Sequence, residues 1–346
     1  MKPTEGVRAL VLAAGLGTRL RPLTLQVPKP ILPIAGEPLL VHGLRRLARA
    51  GIREAAVNLH HLHGRIPESL RGEPRLPVLV YSFEEELLGT LGALHPLRGF
   101  FSDCRAILVV NGDTLCRWPV RKLLRLHHRR GAALTLLLTR RPDPDRYGGG
   151  VGIDAEGRLV SVGPEHGVEG VAHRRVFAGA QVLDPRLLER VPEGPAEAVS
   201  DLWLPLLGEG LSISTLSTGR AWYDLGTPRR YLRGALAWAR PWYRWPDRWI
   251  HPESTVGPGA RLRGVVVERG ARVEPGARLE SCVVMPGARV ARRSRLDRTI
   301  VGPGTEIPER TRITERLVTR ERTGEPAPAR SSRLGDLWYT PLDPPG

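Results

Sequence analysis

The sequence predicts an α/β chain: an open, mainly parallel sheet interleaved with helices, followed by a short stack of coiled strands. Three observations predict it. Up to residue 237, short β-rich apolar runs alternate with helical runs, the pattern of strands linked by covering helices. From Trp249 onward, branched apolar residues return with a 17-residue step. Between these regimes the chain reads WARPWYRWPDRW over Trp238–Trp249, rich in Trp, Pro and Arg.

The elements follow in order. Val7–Ala14 is almost wholly apolar, as a strand covered on both faces would be. Pro38–Ala50 has helical spacing and stops at Gly51. Ala55–Leu59, Pro77–Ser82 and Ala106–Val110 read as strands, Leu123–Arg130 as a helix with a basic C-terminal end, and Ala132–Thr139 as a further strand. Ligands on such sheets bind at the carboxyl ends of the strands.

In the second region one column reads Ile250, Val267, Val284, Val301; the next Val256, Val273, Val290, Ile307; the third Leu262, Leu279, Leu296, Ile313. A fourth runs Trp249, Val266, Val283, Ile300. Three short strands per coil, each aiming one branched side chain inward, explain the repeat, with coils stacked so that like lies over like. The pattern resembles the hexapeptide-repeat left-handed β-helix. The expected division is a sheet domain over 1–237, a linker over 238–248, the β-helix over 249–318, and a weakly ordered tail over 319–346 pinned by Leu337, Trp338 and Tyr339.

Composition narrows the partners. The chain has 346 residues and a net charge of +16; of 52 basic residues only Lys2, Lys29 and Lys122 are lysine. The arginines are dispersed, without a basic run or aromatic interleaving, so phosphorylated small molecules are expected rather than nucleic acid. Cys104, Cys116 and Cys282 are too scattered for a disulfide framework or a zinc knuckle, which suits a reducing, cytoplasmic setting. No apolar run approaches the ~18–20 residues of a membrane span.

The chemistry concentrates in four segments. The first is Leu12-Ala13-Ala14-Gly15-Leu16-Gly17-Thr18-Arg19-Leu20, followed by Pro28-Lys29-Pro30. A strand ends at Gly15, and Gly15 and Gly17 let main-chain N–H groups form a nest for phosphate oxygens. Ala13 and Ala14 leave room for a base or ribose. Arg19 offers a planar fork, and Lys29 a compact charge stiffened by flanking prolines. The dinucleotide fingerprint fails because position 20 is Leu, and no Gly-Lys-Ser/Thr follows. The second segment, Val109-Val110-Asn111-Gly112-Asp113, delivers a carboxylate to a strand end, where it suits Mg²⁺. The third, Trp222-Tyr223-Asp224-Leu225-Gly226-Thr227-Pro228, supplies another carboxylate and opens a helix at Thr227-Pro228. The fourth is Glu84-Glu85-Glu86 with Leu87-Leu88-Gly89-Thr90-Leu91-Gly92-Ala93-Leu94.

Together these resemble the signatures of the sugar-1-phosphate nucleotidyltransferases, LAAG-x-GTRL-x-PLT with PKP, over most of residues 7–235. The resemblance implies an enzyme that joins a nucleoside triphosphate to a sugar 1-phosphate and releases pyrophosphate. It implies that Arg19 and Lys29 neutralise phosphates, that Leu12, Ala13, Ala14, Gly15, Gly17, Thr18, Glu86, Gly89 and Thr90 bind the nucleotide, and that Asp113 and Asp224 hold Mg²⁺. Asn111, Gly112, Arg175 and Gly179 would bind the sugar phosphate. The pattern with its C-terminal β-helix is most similar to mannose-1-phosphate guanylyltransferases, with uridylyl or thymidylyl transfer the alternative. One departure stands out. After Gly157–Val162 the family reads Glu-Lys-Pro, whereas this chain has Gly163-Pro164-Glu165-His166 and no lysine beyond Lys122. His173, Arg174 or Arg175 would supply the missing charge, though Arg is not a drop-in for Lys. That gap leaves a non-catalytic relative open. The β-helix region carries only His251 and so does not fit a hexapeptide acyltransferase; it is expected to serve assembly or regulation in a homo-oligomer.

Overall fold

A computed structural model describes residues 2–164, 170–242, 247–321, 327–328 and 330–343. Glu165 and His166, and Tyr243–Pro246 of the Trp-rich segment, lie outside them. The chain divides into two compact units: Met1–Gly15 with Leu40–Trp222, and Leu16–Leu39 with Tyr223–Gly346.

The first unit holds a nine-stranded mixed sheet. Its strands are β1 (Val7–Leu12), β2 (Glu54–Leu59), β3 (Val78–Phe83), β4 (Ala106–Asn111), β5 (Leu134–Thr139), β6 (Val151–Ile153), β7 (Leu159–Val162), β8 (His173–Leu183) and β9 (Ile213–Thr218). Strands β3, β2, β1 and β4 lie side by side in parallel. The 11-residue β8 then runs antiparallel to β4, β5 and β6, and β9 is parallel to β5. Residues Ala9, Leu10, Ala56, Ile107, Leu108, Leu134 and Leu136 are fully buried, as their two-sided apolar pattern requires. The helix expected over Pro38–Ala50 is α1 (Leu39–Ala50), and the basic-ended helix is α2 (Val120–Arg130). Gly51 (φ 101°) and Gly131 (φ 54°) follow them in the left-handed region that ends helices. β3 is a sheet edge, with Val78, Tyr81 and Phe83 exposed.

In the second unit the 17-residue columns are real. Leu262, Leu279, Leu296 and Ile313 stand in register, as do Ile250, Val267, Val284 and Val301. So do Val256, Val273, Val290 and Ile307. Three parallel sheets result, their inward side chains forming one apolar core: a β-helix. The same register stacks Arg261, Arg278, Arg295 and Arg312 on the outside, all exposed and, among the described residues, without an ion pair.

The tail expectation needs correcting. Residues beyond 318 are not merely a loose end: Leu337–Pro341 pairs antiparallel with Arg316–Arg320, and Ser332–Leu334 pairs with it in turn. The terminal coil would otherwise present an unpaired edge, and the returning strand satisfies it. Leu337 is buried in the β-helix core, as expected of a pin.

Candidate active site

In the first unit, β1 and β4 are neighbours in parallel register, Leu12 opposite Asn111. Their carboxyl ends therefore deliver the Gly15 loop and the Asn-Gly-Asp segment side by side. The Gly112 N–H donates to the Leu12 carbonyl at 2.8 Å. A Cβ at Gly112 would lie 2.8 Å from that same oxygen, so only glycine fits. Gly15 is exposed, and a Cβ there would meet nothing within 4 Å, so the loop's backbone faces open space. Asp113 is half-buried, and the Thr114 hydroxyl donates to its Oδ1 at 3.2 Å.

Gly179 joins this group. The pairing of β8 with β5 shifts register between Phe177 and Gln181, and Gly179 (φ 72°) sits in that bulge, where a Cβ would lie 3.2 Å from Asn111 Cβ. The buried Trp118 indole holds the bulge by donating to the Ala178 carbonyl at 3.0 Å. Nearby, Arg174 is spent on the Gly149 and Gly163 carbonyls. Arg175 donates one Nη to the Arg174 carbonyl, but its buried Nε has no hydrogen-bond partner. Next to it, a cavity of about 580 Å³ is lined by Tyr147, Gly150, Val176, Phe177, Trp203 and Leu204 among others.

Asn58, which the sequence does not single out, and Glu84, from the acidic run in which only Glu86 is assigned to the nucleotide, tie the loops together. Ala13 N–H donates to Asn58 Oδ1 at 2.6 Å, Asn58 Nδ2 donates to Glu84 Oε1 at 2.7 Å, and Leu88 N–H donates to Glu84 Oε2 at 3.1 Å. Asn58 and Glu84 are 3% and 2% exposed, so this is a buried relay between the phosphate-loop segment and the Gly89 loop. Of the three consecutive glutamates the structure buries Glu84, while Glu86 is exposed. Gly89 (φ 74°) and Gly92 press on the backbone of 194–196, where added Cβ atoms would lie 2.5 Å from the Ala196 carbonyl and 2.3 Å from the Gly194 carbonyl. The Thr90 hydroxyl is engaged at 2.7 Å with Glu197.

The second unit gathers the charged half. Gly17 (φ 61°) turns the loop so that Thr24 Oγ1 donates to its carbonyl at 2.8 Å. A Cβ at Gly17 would stand 3.3 Å from Lys29 Cβ, so the loop packs directly on the lysine. Lys29 is only 7% exposed and opens a 3-10 turn, Lys29–Ile31. Thr18 and Arg19 are exposed. A Cβ on Gly226 would be 3.2 Å from an Arg19 Nη and 3.0 Å from Asp224 Oδ1, which sets the guanidinium beside that carboxylate. Asp224 is also ion-paired with Arg230, one turn into α3 (Pro228–Ala239), which Thr227 caps by accepting from Arg230 N–H at 3.3 Å.

The chain matches the Nucleotidyl transferase family over residues 8–240. It belongs to that family. Residues 245–324 match the GMPPB C-terminal domain, the stretch occupied by the β-helix. Among curated proteins it is 34% identical over 281 residues to the mannose-1-phosphate guanylyltransferase of Mycobacterium tuberculosis, covering 78% of this chain and 77% of that one. It is 30% identical over 273 residues to the mannose-1-phosphate guanylyltransferase catalytic subunit beta of Drosophila pseudoobscura pseudoobscura, covering 75% of this chain and 72% of the other. Among solved structures, HddC from Yersinia pseudotuberculosis shares the fold, with a TM-score of 0.57 at 24% identity, over 67% of this chain and 99% of that one. The chain is thus a sugar-phosphate nucleotidyltransferase. No helix among the described residues is long and apolar enough to cross a membrane.

Proposed function

We propose that this nucleotidyltransferase is a Mg²⁺-dependent guanylyltransferase that makes GDP-mannose and pyrophosphate from GTP and mannose 1-phosphate. Its similarity to proteins named as mannose-1-phosphate guanylyltransferases supports the substrates. The observation that carries the chemistry is the packing of Gly17 on Lys29 and of Arg19 beside Asp224, which sets one cation against the glycine turn and another, carried by that turn, beside a carboxylate.

A phosphate oxygen of the sugar 1-phosphate attacks the α-phosphorus in line. The new P–O bond forms as the bond to the β-phosphate oxygen breaks, and pyrophosphate leaves with that electron pair. Such a displacement needs positioning and charge neutralisation rather than a protein nucleophile. Arg19 and Lys29 hold the triphosphate and the departing pyrophosphate. The open backbone at Gly15 lets main-chain N–H groups reach phosphate oxygens, and the Asn58–Glu84 relay fixes that backbone relative to the base-reading Leu88–Gly89 segment. Asp113 and Asp224 are the carboxylates this reading assigns to Mg²⁺, hard oxygen donors of the kind the ion accepts together with phosphates and water. Bound there, the ion would supply charge neutralisation at the reacting phosphate. Arg230 orients Asp224. Asn111, Gly112 and Gly179 line the sugar-phosphate side, and the orphaned Nε of Arg175 supports a role for that residue in place of the family's lysine.

The missing lysine also favours a second reading, a nucleotide-sugar-binding relative without turnover. One assay separates the two: pyrophosphate release from GTP and mannose 1-phosphate. Turnover that falls by about 100-fold or more in Asp113→Asn supports the metal role; near-normal turnover in that variant refutes it.

A further inference from the structure

Glu268 is an odd residue for a β-helix. Its row at the 17-residue step also holds His251, Met285, Gly302 and Thr319, none of them acidic, and it is 0% exposed. One carboxylate oxygen accepts from the Gly36 N–H at 2.8 Å, and the neighbouring Ala35 backbone favours the charged form. The other oxygen, Oε1, is buried without a partner. A carboxylate kept in that condition costs stability, and an apolar residue would fill the row better. Its position is therefore better explained by what it holds than by packing.

What it holds is a tight turn. Ala35 (φ 50°) and Gly36 (φ 84°) link the paired strands Pro33–Ile34 and Glu37–Pro38. The Trp249 ring closes over the turn, so near that a Cβ at Gly36 would lie 2.8 Å from it. On the same hairpin, the fully buried Tyr231 donates its hydroxyl to the Pro33 carbonyl at 2.5 Å. Between this clamp and Lys29 lie only Pro30, Ile31 and Leu32 before Pro33. Two of those intervening and bounding residues are prolines with fixed φ, and Leu32 N–H closes the turn onto the Lys29 carbonyl at 3.1 Å. A stiff, short arm transmits the position of its anchored end.

We propose that Glu268 is a positioning residue for Lys29, the β-helix serving through it as the holder of the catalytic lysine arm. This rests on the nucleotidyl-transfer reading, in which Lys29 neutralises phosphate charge, and it gives the β-helix a role beyond assembly. The test is steady-state pyrophosphate release with folding checked by thermal melting. Glu268→Ala lowers kcat by about 10-fold or more, since small misplacements of a charge-stabilising group are costly, with KM for both substrates changed less than kcat. Glu268→Gln, which keeps an acceptor for Gly36 N–H, recovers most of that loss. In a Lys29→Arg background, Glu268→Ala costs little further, because residues acting through one another do not add; a purely structural defect would add in full. Tyr231→Phe removes one oxygen from the second grip, keeps the ring's packing, and lowers kcat several-fold with the same non-additivity. Glu268→Ala and Tyr231→Phe with wild-type kcat, or additive losses in the Lys29→Arg background, overturn the proposal. An inactive wild-type protein would instead count against the proposed function.

Discussion

Replacing Asn58 by Leu is the sharpest single test of how the nucleotide loops are built. Leucine has the branched heavy-atom skeleton of asparagine, with bulkier methyl groups in place of the amide atoms, so no cavity forms, and the interactions lost are polar. Two groups lose their partner: the Ala13 N–H, bonded at 2.6 Å, and Glu84 Oε1, bonded at 2.7 Å. Both sit around a side chain that is 3% exposed, out of reach of bulk water. Each orphaned buried group costs about 1–3 kcal/mol, so the variant loses about 4 kcal/mol in all. For a unit of this size that is a fall in Tm of about 8–16 °C. The relay also sets the Ala13 segment relative to Leu88, so KM for the nucleotide rises by about 10-fold while KM for the sugar phosphate moves less. Denaturant titration together with initial-rate kinetics measures both. A loss below about 1 kcal/mol with an unchanged nucleotide KM would show that the relay neither supports the loops nor shapes the site.

Two other consequences can be checked by stability measurements. Burial pushes the Glu268 carboxyl up to about 7 from 4.5, so its share of stability is present below about pH 4.5 and is lost as pH rises through about 7. Burial pushes His127, whose imidazole meets the Thr135 hydroxyl at 3.0 Å, down to about 4 from 6.5; its share is present above pH 6.5 and is lost as pH falls through about 4. Each is worth about 3 kcal/mol by linkage. Between about pH 4.5 and 6.5 the two oppose each other. Glu268→Gln then makes stability rise with pH across that window and His127→Gln makes it fall, as urea midpoints would show; parallel slopes in both variants would refute the assignment. Tyr231 faces Glu268, and His128 and Asp184 face His127, and none of these reverses either sign. On the outer face of the β-helix, Arg295→Glu sits between Arg278 and Arg312; turning two like-charge contacts into attractive ones raises Tm by about 2–4 °C at low salt. The gain shrinks in 1 M salt, where screening reaches about 3 Å, and a destabilised or salt-indifferent variant contradicts the reading.

Much of this architecture is readable in the sequence because it is periodic. Each coil must aim a branched side chain inward, so Val273, Val290 and Ile307 announce their register before any coordinates. The strand-end glycines are legible for a related reason: Gly112 must approach the Leu12 carbonyl, and nothing larger fits. What the sequence hides is long-range and polar. Three consecutive glutamates look alike until the fold buries Glu84 and exposes Glu86. Asn58 left a fainter signal, a lone amide in the apolar strand Glu54–Leu59. The grouping of Leu16–Leu39 with the β-helix depends on contacts such as Gly36 with Glu268, 232 residues apart, which no local pattern encodes. The tail escaped for the opposite reason: its Pro-rich, polar composition suggests disorder, yet a five-residue strand within it finds an open edge.

The most direct measurement is a Mg²⁺-supported panel of nucleoside triphosphates against sugar 1-phosphates, read as pyrophosphate released per enzyme. GTP with mannose 1-phosphate is expected to give the highest kcat/KM, at least about 10-fold above UTP or dTTP with glucose 1-phosphate. A preference for one of those other pairs, or no release from any pair, contradicts the assignment.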